Sequence, residues 1–236
     1  MKNNIWYKQL GFYNNPFSTK PAAFNDELFG RENQLNKVLK LIEDGKVAHI
    51  QGDYGLGKTT VLKRIVREFG GDNKIIYYNC NAKNKHINFV RLLNNRYGFI
   101  GRLFDIRPKD MILLLDEVSE LNQTDEVNLA KMYDEGFFKA VVLVSVNGKS
   151  ISKDLAKFIG KNKVELNKMN NDDAIKLVRK RIGDLPLLSD EMVLEIFKKS
   201  KYNPRQLLAN CEDVCRQAID NFDDLVVKEH IDEILK

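Results

Sequence analysis

Cysteine is scarce in this chain. The three present (Cys80, Cys211, Cys215) include no C-x-x-C pair, and an odd number cannot all be bridged, so the pattern points to a reduced, cytoplasmic setting. The three histidines are not clustered near them, which argues against a zinc site. Cys211 and Cys215 lie four apart on an expected helix and read as two small buried residues. Long apolar runs are also missing. The longest are Met111–Leu115 and Ala140–Val146, far too short to cross a bilayer, and Met1–Tyr7 lacks the apolar stretch of a signal peptide. There is no internal repeat and no low-complexity linker. Neither sign of charge dominates: the net charge is +5, compatible with nucleic acid or another anionic surface but requiring neither.

Of the 236 residues, 43% are hydrophobic and 30% charged, an ordinary balance for a globular protein. Residues 1–30 carry Trp6, Tyr7, Phe12, Tyr13, Phe17, Phe24 and Phe29 among turn formers such as Pro16 and Pro21, and read as an arm packed on the core. The periodicity of Leu35, Val38, Leu39 and Ile42 predicts a helix over 32–44, stopped at Gly45. Strand and helix signals then alternate. Val47–Gln51, Lys74–Asn79, Met111–Asp116, Ala140–Val146 and Lys163–Leu166 read as strands; Lys58–Phe69 and Ile87–Asn95 read as helices. Continuous apolar strands of this kind belong to a parallel sheet covered on both faces. The expected fold is therefore α/β, a five-stranded parallel αβα core over residues 31–167, with right-handed crossovers. From 168 to 236 only helical periodicity remains (Asp172–Ile182, Asp190–Lys199, Pro204–Ala218, Val227–Leu235), which predicts a separate all-helical unit.

Two motifs carry chemistry. Gly52-Asp53-Tyr54-Gly55-Leu56-Gly57-Lys58-Thr59 matches G-x-x-x-x-G-K-[ST] between an expected strand and an expected helix, the context the motif requires. The glycines let the backbone wrap phosphates with N–H groups pointing inward, and the helix N-terminus adds a favourable dipole. Lys58 would contact the β- and γ-phosphates of ATP, with Thr60 beside it, and the Thr59 hydroxyl would bind Mg²⁺. The second motif is the strand Met111–Leu115 ending in Asp116-Glu117. Asp116 would hold Mg²⁺ through water and Glu117 would polarise the attacking water. Strand ends often carry polar residues, but here both motifs fall at the same end of a parallel sheet.

With these motifs the sequence resembles the AAA+ superfamily of P-loop ATPases, and within it the archaeal and eukaryotic origin-recognition/Cdc-six initiators. The resemblance runs from about Asn15 to the C-terminus. It rests also on Asn15-Pro16-Phe17 and Leu28-Phe29-Gly30-Arg31-Glu32, like the segment that borders the adenine in that family, on Ile76-Tyr77-Tyr78-Asn79-Cys80, like its second strand, and on Asn203-Pro204-Arg205, like the start of its lid helix. The first half is similar, too, to ExeA-type secretion ATPases and TnsC-type transposition regulators. The resemblance implies ATP hydrolysis with Mg²⁺ and a helical lid over 168–236. It implies adenine-side binding near Arg31, restraint of the glutamate by Asn79, a first sensor at Asn147 and a γ-phosphate sensor at Arg205. Other readings of the same residues stand beside these. Asn147-Gly148 is also a plain turn dipeptide, and Asn79 a plain strand-end residue. Arg205 in the first turn of a helix opposes the dipole, which a nearby anion or simple solvent exposure would relieve.

Two features depart from the family. Phe158–Lys163 offers only lysines where the superfamily often has an arginine that reaches a neighbour's ATP, so Arg102 and Arg107 are the substitutes if an ATP-dependent homo-oligomer completes its site in trans. The sequence ends at Lys236, directly after the lid, so the winged-helix domain of the initiators is expected to be absent. One segment points to a partner. From Lys83 to Lys109 the basic residues Lys83, Lys85, Arg91, Arg96, Arg102, Arg107 and Lys109 face a single acid, Asp105, and Phe89, Tyr97, Phe99 and Phe104 are interleaved. Basic groups follow phosphates and aromatics stack on bases, so DNA is the expected partner; a solvated basic face over a buried aromatic row is the plainer reading. The alternative function is an ATPase switch or motor acting on a protein.

Overall fold

The computed structural model describes residues 5–19, 28–72, 74–81, 86–97 and 108–235. Pro21 and Phe24 of the arm, and Lys83, Lys85, Phe99, Arg102, Phe104, Asp105 and Arg107 of the basic segment, lie outside the described residues. Two compact units are formed: Arg31–Tyr54 with Lys58–Leu166, and Met1–Gly30 with Gly55–Gly57 and Asn167–Lys236.

In the first unit the chain runs α2 (Glu32–Glu43), β1 (Val47–Gly52), α3 (Lys58–Phe69), β2 (Ile75–Asn79), α4 (Phe89–Asn94), β3 (Met111–Asp116), α5 (Gln123–Asp134), β4 (Phe138–Val146), α6 (Lys153–Ile159) and β5 (Lys163–Leu166). The five strands are all parallel, in the order β2-β3-β4-β1-β5. This is the α/β sheet expected from its apolar strands: every residue of β3 is buried, as are Ala140–Ser145 of β4. One face is sealed by Phe89, Leu93, Val118, Leu129, Leu155 and Ile159 packed on Leu113, Leu115, Val141 and Leu143. Strand β4 begins two residues earlier than its continuous apolar run, because Phe138 is buried while Lys139 points out to solvent.

The second unit holds α7 (Asn171–Ile182), α8 (Asp190–Lys199), α9 (Pro204–Asp220) and α10 (Lys228–Ile234), joined by α1 (Trp6–Gln9). Each of the three long helices starts on a side-chain cap: Asn170 accepts from the Asp173 N–H, Ser189 from Met192, and Asn203 from Arg205 and Gln206. Their inner faces form one core that includes Val178, Val193, Phe197, Leu207, Cys211, Val214 and Cys215. Trp6 and Phe17, stacked with ring centres 6.0 Å apart, belong to this helical core and not to the sheet unit, and Arg181 donates to the carbonyls of Pro16 and Ser18. Aromatic content alone does not say which apolar surface an arm will cover. Among the described residues no helix is long and apolar enough to cross a membrane.

Candidate functional site

The site is built at the C-terminal ends of β2, β3, β4 and β1. Strand β1 ends at Gly52, where a Cβ would stand 3.0 Å from both the Cβ and the carbonyl oxygen of Leu166 on β5; only glycine fits there without displacement. The loop then turns through Asp53 and Tyr54, both exposed, Gly55 at φ +85°, the buried Leu56 and Gly57 at φ +90°. Left-handed backbone at two alternate positions is what glycine supplies and an L side chain resists. Helix α3 opens at Lys58. Thr59 is exposed and Thr60 half-buried.

Lys58 is buried, and its Nζ donates to the carbonyls of Gly52 and Asp53, each at 2.8 Å. The ammonium is thus held back along its own loop, inside the turn. Burial pushes its pKa down, while the carboxylates of Asp116, Asp53 and Glu117 oppose that shift. Three acids within electrostatic reach of one lysine place the loop and the acidic pair in one site.

Asp116 ends β3 and is buried. Its Oδ1 accepts from the backbone N–H of Glu117 at 3.0 Å, and its Oδ2 accepts from the Tyr77 hydroxyl at 3.4 Å. Burial raises the carboxyl's pKa; the hydrogen bonds and Lys58 pull it down, and the Glu117 charge adds to the rise. Glu117 itself sits at φ 58°, ψ 45°, left-handed backbone in a non-glycine residue. Such a conformation costs of order 1–3 kcal/mol and concentrates at functional sites. A short 3-10 turn, Val118–Glu120, follows it, with the Glu120 N–H donating to the Glu117 carbonyl.

Asn79 lies directly across from Asp116 in the β2–β3 register. Its Oδ1 accepts from the Asn81 N–H at 2.8 Å, a local turn at the strand end. Asn147 follows β4, and its backbone N–H donates to the Gly52 carbonyl at 3.3 Å, beside the Lys58 bond to the same oxygen. Lys149, two residues on, reaches Glu120 at 2.7 Å. Arg31 is buried immediately before α2. Arg205 is an exposed residue in the first turn of α9, in the helical unit. The sheet unit therefore gathers Gly52, Lys58, Asp116, Glu117, Asn79 and Asn147 at one edge. Sequence reading missed Tyr77, Glu120 and Lys149. Each lies within three residues of a residue it did single out, but their contacts are tertiary and leave no periodic signal.

Among the described residues no cluster of three or more His, Cys, Asp or Glu side chains is disposed to hold a metal. The oxygen donors that do exist, the Thr59 hydroxyl and the Asp116 carboxylate, are hard and few. That suits a magnesium ion whose remaining positions are filled by water and phosphate oxygens.

A parallel sheet with a glycine-rich phosphate loop after β1 and an acidic pair after β3 defines a P-loop α/β nucleotide-binding domain. A family model described as an AAA domain matches residues 44–170, more than half of the chain, and the protein belongs to that family. Solved structures share its fold. Drosophila ORC bound to DNA superposes with a TM-score of 0.70 at 17% identity, over 94% of this chain and 63% of that one. Cdc6p from Pyrobaculum aerophilum gives 0.68 at 15% identity, over 93% and 70%. The RuvB Holliday junction branch migration motor of Thermotoga maritima gives 0.66 at 18% identity, over 88% and 69%. The fold is thus that of AAA+ ATPases of the initiator and RuvB kind, and the chain spans just under two thirds of the Drosophila ORC chain. No curated protein matches by sequence.

Proposed function

We propose that the protein binds MgATP and hydrolyses it to ADP and phosphate, and that nucleotide state controls a DNA-associated assembly of the initiator type. The observation that carries the proposal is the meeting of Lys58, Asp116, Glu117 and Asn147 at one edge of the sheet unit, with Lys58 under the field of both acids. On this reading the loop Gly52–Thr60 wraps the phosphates with its N–H groups, and Lys58 leaves the carbonyls of Gly52 and Asp53 for the β- and γ-phosphates. Magnesium, when bound, would screen the phosphate charge and fix the γ-phosphoryl group; the Thr59 hydroxyl and Asp116 would hold it. Glu117 takes the proton of the attacking water. Asn147 orients that water or the γ-phosphate, Asn79 restrains Glu117, and Arg31 lines the adenine side. Residues 31–167 act as the ATPase core and 168–236 as a lid that brings Arg205 to the γ-phosphate.

DNA is the favoured partner because two observations agree on it. The basic, aromatic-rich stretch Lys83–Lys109 carries more positive charge than the whole chain nets, and the ORC neighbour of the same fold is bound to DNA. Titration calorimetry with MgATP on the parent and on Lys58→Ala tests the nucleotide half. We expect tight binding by the parent and its loss in the variant, where the point charge on the phosphates is gone. Equal affinity in both would remove the basis of the reading.

A further inference from the structure

We propose that the ion pair between Glu120 and Lys149 is a positioning clamp for the hydrolytic step, fixing the turn that carries Asn147 against the turn that carries Glu117. The inference rests on the function proposed above and concerns two residues that the reading leaves without a role. Lys149 Nζ donates to Glu120 Oε1 at 2.7 Å, between side chains that are 49% and 44% exposed. A solvated pair of this kind contributes little to stability, so fold maintenance does not account for its geometry.

Its two ends are tied to the site by backbone hydrogen bonds. The Lys149 N–H donates to the Val146 carbonyl, closing the Asn147-Gly148 turn, and the Asn147 N–H donates to the Gly52 carbonyl that also receives Lys58. At the other end the Glu120 N–H donates to the carbonyl of Glu117, which is held in left-handed backbone. A continuous path thus runs from the phosphate loop through Asn147 and Lys149 to Glu120 and Glu117. β3 and β4 are adjacent in the sheet, but their paired register ends at Leu115↔Leu143; β3 ends at Asp116, while β4 runs on beside β1 to Val146 before its turn. The ion pair is a side-chain link between the two turns that follow these strands. Glu120, followed by Glu117, raises the Lys149 ammonium pKa, so the lysine stays charged at neutral pH and lies within reach of both acids. Relaxing the clamp would let Glu117 and Asn147 drift apart, and small misplacements of a general base or a water-orienting group reduce turnover without weakening ground-state binding.

Glu120→Gln and Lys149→Met keep side-chain size and remove the pair. For each we expect kcat to fall about tenfold, within the range for a residue acting through its neighbours. Calorimetric affinity and KM for MgATP should stay within about twofold of the parent, and the thermal midpoint nearly unchanged. The double variant should be no slower than the slower single one, because both remove the same interaction, and Lys149→Arg should keep most of the parental rate. Raising salt should slow the parent toward the variants and leave the variants unaffected. Single variants at the parental kcat would overturn the clamp. So would losses that multiply in the double variant, or a slow Lys149→Met beside a parental Glu120→Gln, since the lysine would then act on Glu117 directly. A parent protein that binds ATP without turning it over would instead sink the hydrolytic reading on which the clamp stands.

Discussion

Two acids stand side by side at the end of β3, and their environments set them apart. Asp116 is buried and engaged through both oxygens, by the Glu117 N–H and the Tyr77 hydroxyl, whereas Glu117 is turned out of the strand by its left-handed backbone. The first arrangement suits a group that stays in place beside a cation, the second a group that meets water. Glu117→Gln should therefore keep ATP binding and cut single-turnover hydrolysis by about a hundredfold or more, the scale of losing a general base. A rate within a few-fold of the parent would show that Glu117 is not the base. A different residue sets a pH dependence of the fold itself. His49, in the middle of β1, is buried, with Nε2 2.8 Å from the Ser145 hydroxyl, and burial, reinforced by Lys163 on β5, depresses its pKa from 6.5 to about 4. The unfolded chain then binds a proton that the native state refuses. The stabilisation is full above pH 6.5 and is lost as pH falls toward 4, amounting to about 2 kcal/mol between pH 7 and pH 5. Urea unfolding across that range should show the loss in the parent and a flatter profile in His49→Gln. Parallel profiles would assign the acid sensitivity to other groups.

Helix α9 shows how a local signal positions an element. Asn203 Oδ1 accepts from the N–H groups of both Arg205 and Gln206, and Pro204, with no N–H to satisfy, fills the first turn. The preceding Lys201 and Tyr202 are both left-handed, so the chain is turned sharply before the cap takes hold. Asn203→Ala should cost about 1 kcal/mol of stability and Asn203→Ser much less, measured by thermal or denaturant unfolding; an unchanged midpoint for the alanine variant would mean that solvent replaces the cap. Caps and apolar periods of this kind made most elements legible. Lys58–Phe69, Met111–Asp116, Lys163–Leu166 and Asp190–Lys199 begin and end where the residues predict. Helix α5 was not legible, because its buried side chains include Asp125 and Glu126, which break the apolar stripe. They are satisfied by the Asn122 amide at the helix's own cap and by the Ile87 N–H and the Ser152 hydroxyl, two partners that exist only once the chain has folded. Helix α6 has seven residues, too few to display a period. The same division holds at the site. The phosphate loop and the acidic pair are contiguous in sequence and were readable. Tyr77 on Asp116 joins neighbouring strands and Lys149 on Glu120 joins separate turns, and neither contact was.

At the scale of the whole molecule, charge is unevenly placed, and this bears on the partner. Seven basic residues between Lys83 and Lys109 face one acid, giving a local charge of +6 against +5 for the entire chain, so every other region together is close to neutral. In sequence this stretch runs from just after β2 to just before β3, the strand that delivers Asp116 and Glu117. Part of it is described, and that part divides. Phe89 is buried against Phe138, 6.1 Å between ring centres, and so serves the core instead of a ligand, while Arg91 is exposed on the same helix. Phe89 is thereby removed from the set of stacking groups, and Tyr97, Phe99 and Phe104 remain as candidates. Binding that relies on phosphates and a few stacked bases tolerates sequence and depends steeply on salt, because each neutralised phosphate releases counterions. On the proposed function, DNA binding should be stronger with ATP than with ADP. Replacing Arg96, Arg102 and Arg107 together by Ala should lower the slope of log affinity against log salt by up to about 3 on duplex and about 2 on single strands, according to how many of the three meet phosphate. ATP affinity should be untouched, since none of the three belongs to the phosphate loop or the acidic pair. Fluorescence anisotropy with single- and double-stranded oligonucleotides over a salt series measures this, with calorimetry on the same samples for ATP. No binding at low salt with ATP present, or an unaltered slope in the triple variant, would move the partner from DNA to a protein. The ATPase core would then act as a switch on a polypeptide surface.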